Sequence, residues 1–337
     1  LTENGTPKLD LNLAMEGFAL DPIIAAMRQA AARFGGGADA TLALKGKALS
    51  FAGLPVNALS LKASATSGSW RINQLEVDDL GGIHLVGAGW MEDFSSEPRG
   101  ELNLTVSGDK ADGLVPVARL VAGEETAKVL ARLAPVASPV SLTAASVWSE
   151  GGGRSITADG SLGDLAGAIT FARTSAGVPL SIQLKAKAAD AGRTLAILGV
   201  DRIDPRLGPA RGTLTVDPLT NGQSAVKGDL AVAGLALKGE GTARLTADGT
   251  LVPNIAMRLD GADLGRLLPQ VAAAVDGPAP AALSFSLSRE GPSWQLGKLS
   301  GSLAGAPITG NLSLVPDTVP RLSGQLAFDA LSLPHIL

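Results

Sequence analysis

The chain has 337 residues, of which 45% are apolar and only 3% aromatic, and it contains no Tyr, no Cys and two His. Its net charge is −4 with both signs interspersed, which leaves no basic patch for nucleic acid and no acidic tail. The absence of Cys excludes disulfides, thiolate zinc sites and cysteine nucleophiles, and it suits either a reducing compartment or an envelope protein that does not depend on oxidation.

The first predicted elements are a strand and a helix. Apolar and polar residues alternate from Leu9 to Glu16, which is the period of a strand with one buried face, so residues 1–18 are expected to form a strand. From Leu20 the apolar residues fall on one helical stripe instead. Asp21-Pro22 suits the start of this helix and Gly35-Gly36-Gly37 suits its end.

Strands separated by short turns account for most of the remaining chain. Connectors of two to five residues are too short for the crossovers that parallel strands need, so antiparallel pairing is expected. The predicted strands are 41–51, 58–66, 70–77, 83–91, 140–149, 154–162, 166–173, 178–188, 211–217, 223–232, 235–246, 253–260, 281–288, 293–303, 306–314 and 321–329.

Helices are predicted at three further places. Residues 112–134 suit two short helices better than one, because the pattern is interrupted around Gly123. A short helix is expected near residues 192–198. Residues 264–275 place their apolar side chains on one side of a helix, which Pro278 ends.

One pattern, an alternating strand followed by a small residue and a helical turn, occurs five times without a gap. Its small residues are Gly17, Gly108, Ala188, Gly261 and Ala330. Such self-similarity indicates a repeat architecture. The predicted units are 1–100, 101–178, 179–252 and 253–320, with 321–337 as the truncated start of a fifth, so we expect the sequence to be a fragment of a longer protein.

The predicted fold class is a β-rich α+β fold. We expect an elongated repeat array of antiparallel meanders, each of about four or five strands, curved into a groove and capped by a short amphipathic helix. No run of 18 or more uncharged apolar residues occurs, so no transmembrane helix is predicted within the sequence.

No motif in the sequence indicates catalysis, and no cofactor or metal is predicted. The Gly-rich turns lack the Lys-Ser/Thr of a phosphate loop, and no Gly-x-Ser-x-Gly elbow occurs. His84 and His335 have no partner at metal-ligand spacing and are predicted to be surface residues. The adjacent pairs Asp78-Asp79 and Glu124-Glu125 are expected to lie in turns and solvent, because neighbouring residues on a strand point to opposite faces.

The apolar face of the repeated strand is the strongest candidate for function. Equivalent positions in successive units would align along one continuous surface. That surface is either core beneath the helices or the aliphatic lining of an open trough that suits acyl chains. The candidate lipid-lining residues are Leu104, Val106, Leu184, Met257, Leu259, Leu326 and Phe328.

The sequence resembles the AsmA-like family of bacterial envelope proteins, which belong to the repeating β-groove, bridge-like group of lipid transport proteins. The resemblance rests on the recurring strand, small residue and Leu-x-x-Leu-Leu turn, as in Gly261-Ala-Asp-Leu264-Gly-Arg-Leu267-Leu268, and on the stretches 70–89 and 299–312. It covers nearly the whole chain. The resemblance implies an inner-membrane anchor, absent from this sequence, and a long periplasmic region linked to phospholipid movement and outer-membrane homeostasis. It implies no catalytic residues.

Two hypotheses of different classes follow. The first is a non-enzymatic periplasmic segment, tethered to the inner membrane in the full-length protein, that binds or conducts phospholipid acyl chains and supports outer-membrane assembly. The second is a structural or interaction scaffold of the envelope with a self-buried core and no lipid cargo. A hydrolase is a third and weaker possibility, because its sequence ingredients are missing. No nucleic-acid partner is predicted.

Overall fold

The structure is a computed structural model, and it describes all residues except 1, 4–5, 26–38, 67–68, 93–98, 122, 174–180, 193–206, 220–221, 246–250, 267–276, 316–320 and 329–337. The chain divides into two compact units, Leu1–Gly177 and Val178–Leu337. Both are mostly β, as the alternating sequence pattern predicts. The division into five repeat units stays a prediction.

Unit 1 is an open sheet of ten strands. Its described α-helices lie in two of the connections between strands. Its helical segments are α1 (residues 21–25), α2 (Leu114–Val121) and α3 (Glu124–Leu133), with a 3-10 turn at Ala134–Val136 and another at Glu150–Gly152. Its strands are β1 (Thr2–Glu3), β2 (Thr6–Glu16), β3 (Asp39–Phe51), β4 (Leu54–Thr66), β5 (Ser69–Leu80), β6 (Ile83–Glu92), β7 (Arg99–Gly108), β8 (Val140–Ser149), β9 (Gly153–Leu162) and β10 (Leu165–Arg173).

Unit 2 continues the same strand pattern with nine strands. A 3-10 turn occupies Leu264–Arg266. The strands are β11 (Ser181–Ala188), β12 (Ala210–Pro218), β13 (Ser224–Val232), β14 (Leu235–Leu245), β15 (Leu251–Gly261), β16 (Ala281–Glu290), β17 (Ser293–Leu303), β18 (Ala306–Val315) and β19 (Arg321–Phe328).

Each strand pairs with the next strand of its unit, and the short turns make these pairs antiparallel as expected. One described pair is different, since β2 and β3 are parallel. The connection between them is long and includes α1, so the chain can return to the other end of the sheet before β3 begins. The connection between β7 and β8 also contains helices. It begins and ends at the same end of the sheet, so these two strands are antiparallel.

The helix predictions have mixed outcomes. The break between α2 and α3 is confirmed, and Gly123 lies between the two helices with a φ of 96° that favours glycine. Of the predicted helix after Leu20, residues 21–25 are helical and the remainder lies outside the described residues. Residues 191–192 are likewise helical, and the described start of the predicted helix at 264 is a 3-10 turn. The rest of both segments falls outside the described residues.

A small residue is required at the repeated position for two different physical reasons. Gly17 has a φ of 72° and free space around it, so backbone conformation requires glycine there. At Gly108 there is no space for a side chain, because a Cβ atom would lie 2.2 Å from the carbonyl oxygen of Gly82 in the turn before β6. Ala188 tolerates a methyl group and is buried. Ala330 lies outside the described residues.

The third residue after each described small residue is a buried anchor. Leu20, Ala111, Ala191 and Leu264 are all buried. Three of them also donate their backbone N–H to a carbonyl of another segment: Leu20 to Ser50 at 2.7 Å, Ala191 to Gly208 at 2.8 Å, and Leu264 to Ala279 at 2.7 Å. These anchors fix the chain where it leaves the end of a strand, which we call the anchored end of the sheet.

Small apolar clusters lie at the anchored end. In unit 2, Leu235, Leu264, Ala279 and Ala281 form one cluster, and a second consists of Ala191, Leu207, Val232 and Ala233. In unit 1 a single larger cluster includes Leu20, Ile83, Val106, Leu114 and Val140, with residues of α2 and α3 packed against it. The two helices therefore enlarge the buried core of unit 1.

Substitution of Asp263 tests how much the hydrogen bonds beside the anchor Leu264 contribute to stability. Its carboxylate accepts hydrogen bonds from the backbone N–H groups of Gly265 at 3.0 Å and Ala279 at 3.1 Å. Asp263→Ala leaves both donors without this partner, so we expect a loss of about 1–2 kcal/mol in the free energy of unfolding, measured by urea denaturation. The exposed Asp229, which pairs with Lys238 at 3.8 Å, is the control, and Asp229→Ala should change stability by less than about 0.5 kcal/mol. Equal effects of the two substitutions would contradict a structural role for the anchor.

Candidate functional site

All seven sequence-predicted lining residues lie on the apolar face of their sheet, but the two units treat that face differently. In unit 1, Leu104 and Val106 are 8% and 5% exposed and belong to the main core cluster. The residues opposite Val106 on the two adjacent strands are Leu85, which belongs to this cluster, and Leu142, which packs against it. At these two positions the apolar face is core.

In unit 2 the predicted residues are only partly covered. Leu184, Met257, Leu259 and Phe328 are half-buried, and Leu326 is 44% exposed. The register brings them onto one face of the sheet that continues from strand to strand. Leu184 lies opposite Leu214, Met257 opposite Phe285, and Leu259 opposite both Leu237 and Leu283.

The same face of unit 2 carries further aliphatic and aromatic side chains that the sequence analysis did not single out. The sequence does indicate them, because apolar and polar residues alternate along β12 to β18 as they do along the repeated strand. The predicted lining residues are limited to the repeated strand. The added residues, all half-buried, are Leu214, Val226, Leu237, Ile255, Phe285, Leu287, Leu312 and Leu314. We call these residues, with Leu184, Met257, Leu259, Leu326 and Phe328, the aliphatic face of unit 2.

Glycines allow long side chains to lie flat on this face. A Cβ atom at Gly239 would lie 2.6 Å from Sδ of Met257. At Gly310 and Gly324 a Cβ would first meet the backbone carbonyl oxygens of Gln325 and Asn311, at 2.1 and 2.2 Å, and would also lie 3.0 Å from Cδ2 of Leu326 and of Leu312, respectively. The large side chains therefore lie next to glycines of the adjacent strand, and this makes the aliphatic face flatter.

Two grooves in unit 1 lie on the opposite, polar face. One has a volume of about 660 Å³ and extends from β5 to β10, with Asn103, Thr105, Thr143, Thr157 and Asp159 among its lining residues. The other has a volume of about 750 Å³, and its lining includes the side chains of Lys45, Lys47, Glu16 and Glu76. Because strand residues alternate between faces, the polar residues named here point away from Leu104 and Val106. Leu104 also belongs to the lining of the first groove.

The structure brings together one pair of titratable residues that sequence spacing did not indicate. Nδ1 of His84 lies 3.5 Å from Oδ1 of Asp78, and both side chains are about half exposed. Ser107 is directly opposite His84 on β7. Among the described residues no hydrogen bond joins Ser107 to His84.

Other charged groups form surface pairs. Asp79 has a φ of 52° at a register shift near the end of β5, and its carboxylate accepts the N–H of Gly82 in the turn that follows. The prediction that Asp78 and Asp79 lie in a turn is wrong, because both residues belong to β5. The hydrogen bond from Arg119 lowers the pKa of Glu124, and the hydrogen bond from Arg258 lowers the pKa of Asp260. Across the described part of the chain, no three His, Asp or Glu side chains form a group that could hold a metal ion. His335 lies outside the described residues.

Comparison with known proteins identifies no relative. No family model matches the chain, and neither a curated protein nor a solved structure matches it. Among the helices that the structure describes, none combines the length and the hydrophobicity that a membrane crossing requires.

Leu104 and Leu326 occupy equivalent positions in the repeated pattern, so their replacement by alanine measures how far the apolar face is buried in each unit. Leu104→Ala removes a buried side chain and should lower the free energy of unfolding by about 2–5 kcal/mol. Leu326→Ala removes a side chain that is 44% exposed and should cost less than about 1 kcal/mol. Urea denaturation followed by circular dichroism measures both values. Equal losses would show that the aliphatic face of unit 2 is as fully packed as the core of unit 1.

Proposed function

We propose that this chain is a non-enzymatic lipid-handling segment and that the aliphatic face of unit 2 binds phospholipid acyl chains. The observation that carries the proposal is the continuity of that face from β11 to β19 together with its partial exposure. A soluble protein rarely leaves so extended an apolar surface in contact with water, and such surfaces mark binding sites for apolar partners.

Acyl chains have the chemistry that this face requires. Burial of each methylene group contributes about 0.8 kcal/mol, so a lipid tail can be retained without directed polar contacts. The low relief created by Gly239, Gly310 and Gly324 suits an extended, flexible chain better than a rigid ligand. Charged residues on the neighbouring positions, such as Arg258 and Lys238, point to the opposite face.

The resemblance to the AsmA-like family supports a further proposal about where in the cell this segment acts. We assign the segment to the periplasm, where the full-length protein would be tethered to the inner membrane by an anchor outside this sequence. Its apolar surface would then act as part of a path for phospholipids, in a groove built from repeated antiparallel meanders, and support outer-membrane homeostasis.

A second candidate function is an envelope scaffold without lipid cargo. The observation that favours it is the packing of unit 1, where Leu104 and Val106 are buried by the protein's own side chains. If unit 2 were covered in the same way by a protein partner, its aliphatic face would be an assembly surface and no lipid would be bound.

Substitution on the two faces of the same strands tests lipid binding. Met257→Asp and Leu326→Asp place a charge on the aliphatic face, where contact with an acyl chain would bury it without a partner. Lipid that copurifies with the protein, measured by extraction and native mass spectrometry, should fall by about tenfold or more.

The neighbouring exposed residues provide matched controls. Ala256→Asp and Gln325→Asp add the same charge to the polar face of the same two strands and should leave lipid retention unchanged. Circular dichroism must show that all four variants remain folded. Wild-type protein free of lipid after purification and after incubation with phospholipid vesicles would favour the scaffold.

A further inference from the structure

Two polar atoms on the apolar face of unit 1 are buried and have no hydrogen-bond partner among the described residues. Ser146 is 2% exposed and its hydroxyl has no partner, and Nε of Arg154 is also buried and unpaired. The register places Ser146 opposite Ile156 and Trp148 opposite Arg154, so Ser146 and Arg154 are diagonal neighbours on adjacent strands. A buried donor that makes no hydrogen bond is destabilising, and native proteins contain few of them.

The guanidinium of Arg154 is partly buried and is held against an aromatic ring. Arg154 stacks over the ring of Trp148 at 5.4 Å from the centroid, and burial lowers the pKa of its guanidinium. An oxyanion would supply both the missing hydrogen-bond acceptor and a countercharge for this guanidinium.

A similar pair in unit 2 has a different hydrogen-bonding state. Arg289 stacks over Trp294 at 5.5 Å, on a pair of strands joined by a short turn, as Arg154 and Trp148 are. Nε of Arg289 donates to the carbonyl oxygen of Gly291 at 2.9 Å. The stacking therefore occurs in both units, and the unpaired Nε distinguishes Arg154.

We infer that Arg154, Ser146 and Trp148 form a binding site for a phosphate-type oxyanion. Trp148 holds the guanidinium plane by stacking, Nε–H of Arg154 donates to one oxygen of the anion, and the hydroxyl of Ser146 donates to another. The site goes beyond acyl-chain binding, because it depends on charge and directed hydrogen bonds. Its ligand is either free phosphate or the phosphate of a lipid headgroup.

Nuclear magnetic resonance of the arginine Nε–H groups tests the site in the full chain. The signal of Arg154 is identified by its loss in Arg154→Lys. Titration with inorganic phosphate against sodium chloride at equal ionic strength should shift this signal in a saturable manner. The signal of Arg289 should not shift, because its Nε–H already has an acceptor, and it serves as an internal control within the same sample.

A second series separates the two sources of the oxyanion. Short-chain phosphatidylglycerol below its micelle concentration replaces inorganic phosphate in the titration. Saturation at a concentration at least tenfold lower than for phosphate would identify a lipid headgroup as the ligand, and equal or weaker binding would identify free phosphate. Ser146→Ala should weaken either interaction by about threefold to tenfold.

The inference is overturned if neither titrant moves the Arg154 signal, or if Arg154 and Arg289 respond equally. Both titrations use wild-type protein, and the Arg154→Lys variant serves only to assign the Arg154 signal. Loss of acyl-chain binding by unit 2 would leave the response to inorganic phosphate intact, which separates failure of this inference from failure of the proposed lipid-handling function.

Discussion

The structure depends on one constraint, which is the need to cover a sheet face made almost entirely of aliphatic side chains. Consecutive antiparallel strands keep their register across short turns, so the apolar residues of every strand fall on the same side. A shift by one residue would move them all to the opposite side. The face must then be covered by packing, by a partner or by a ligand.

The two units meet this constraint to different degrees. In unit 1 the apolar face is closed near α2 and α3, and its large cluster includes residues from six strands. In unit 2 the described clusters contain four residues each and lie at the anchored end, while the remainder of the face is half-buried. The cover of unit 1 is incomplete at β2, where Leu9, Leu11 and Leu13 on the apolar side are 52%, 41% and 42% exposed. A shared strand pattern therefore supports a large core beside α2 and α3 in unit 1 and a candidate binding surface in unit 2.

The apolar faces also change character along the strands. Buried residues such as Leu264 and Ala279 exclude water from the anchored end. The stacked pairs Arg289 with Trp294 in unit 2 and Arg154 with Trp148 in unit 1 lie at the other end of the strands, beside the turns. Phospholipids have the same polarity, with an apolar tail and a charged headgroup. Acyl-chain binding and the oxyanion site are thus chemically compatible, although each is tested independently.

Much of the strand architecture is predictable from the sequence, because the period of two is strong and the turns contain Gly and Pro. The interruption at Gly123 predicts two helices correctly for the same reason. Burial is not predictable in this way, since Leu104 and Leu326 occupy equivalent places in the pattern and differ only in what packs against them. The parallel pairing of β2 with β3 and the approach of His84 to Asp78 depend on chain paths that local spacing does not specify.

The location of the grooves gives a further example. An apolar trough is the natural expectation from the leucine pattern, yet the two described grooves in unit 1 are lined by side chains of the polar face such as Thr143 and Lys45. Sheet curvature arises from the twist and the bulges of many strands together, including the irregular register between β4 and β5. Alternation alone assigns residues to faces and does not decide which face becomes concave.

Site-specific photocrosslinking in membranes tests the central claim most directly. A benzophenone amino acid in place of Leu214 would report contacts of the aliphatic face, and the same group in place of the exposed neighbour Thr213 would report the opposite face of β12. Lipid handling predicts phospholipid adducts at position 214 that are at least about tenfold more abundant than at position 213. Equal labelling of the two positions, or protein adducts alone at position 214, would contradict it.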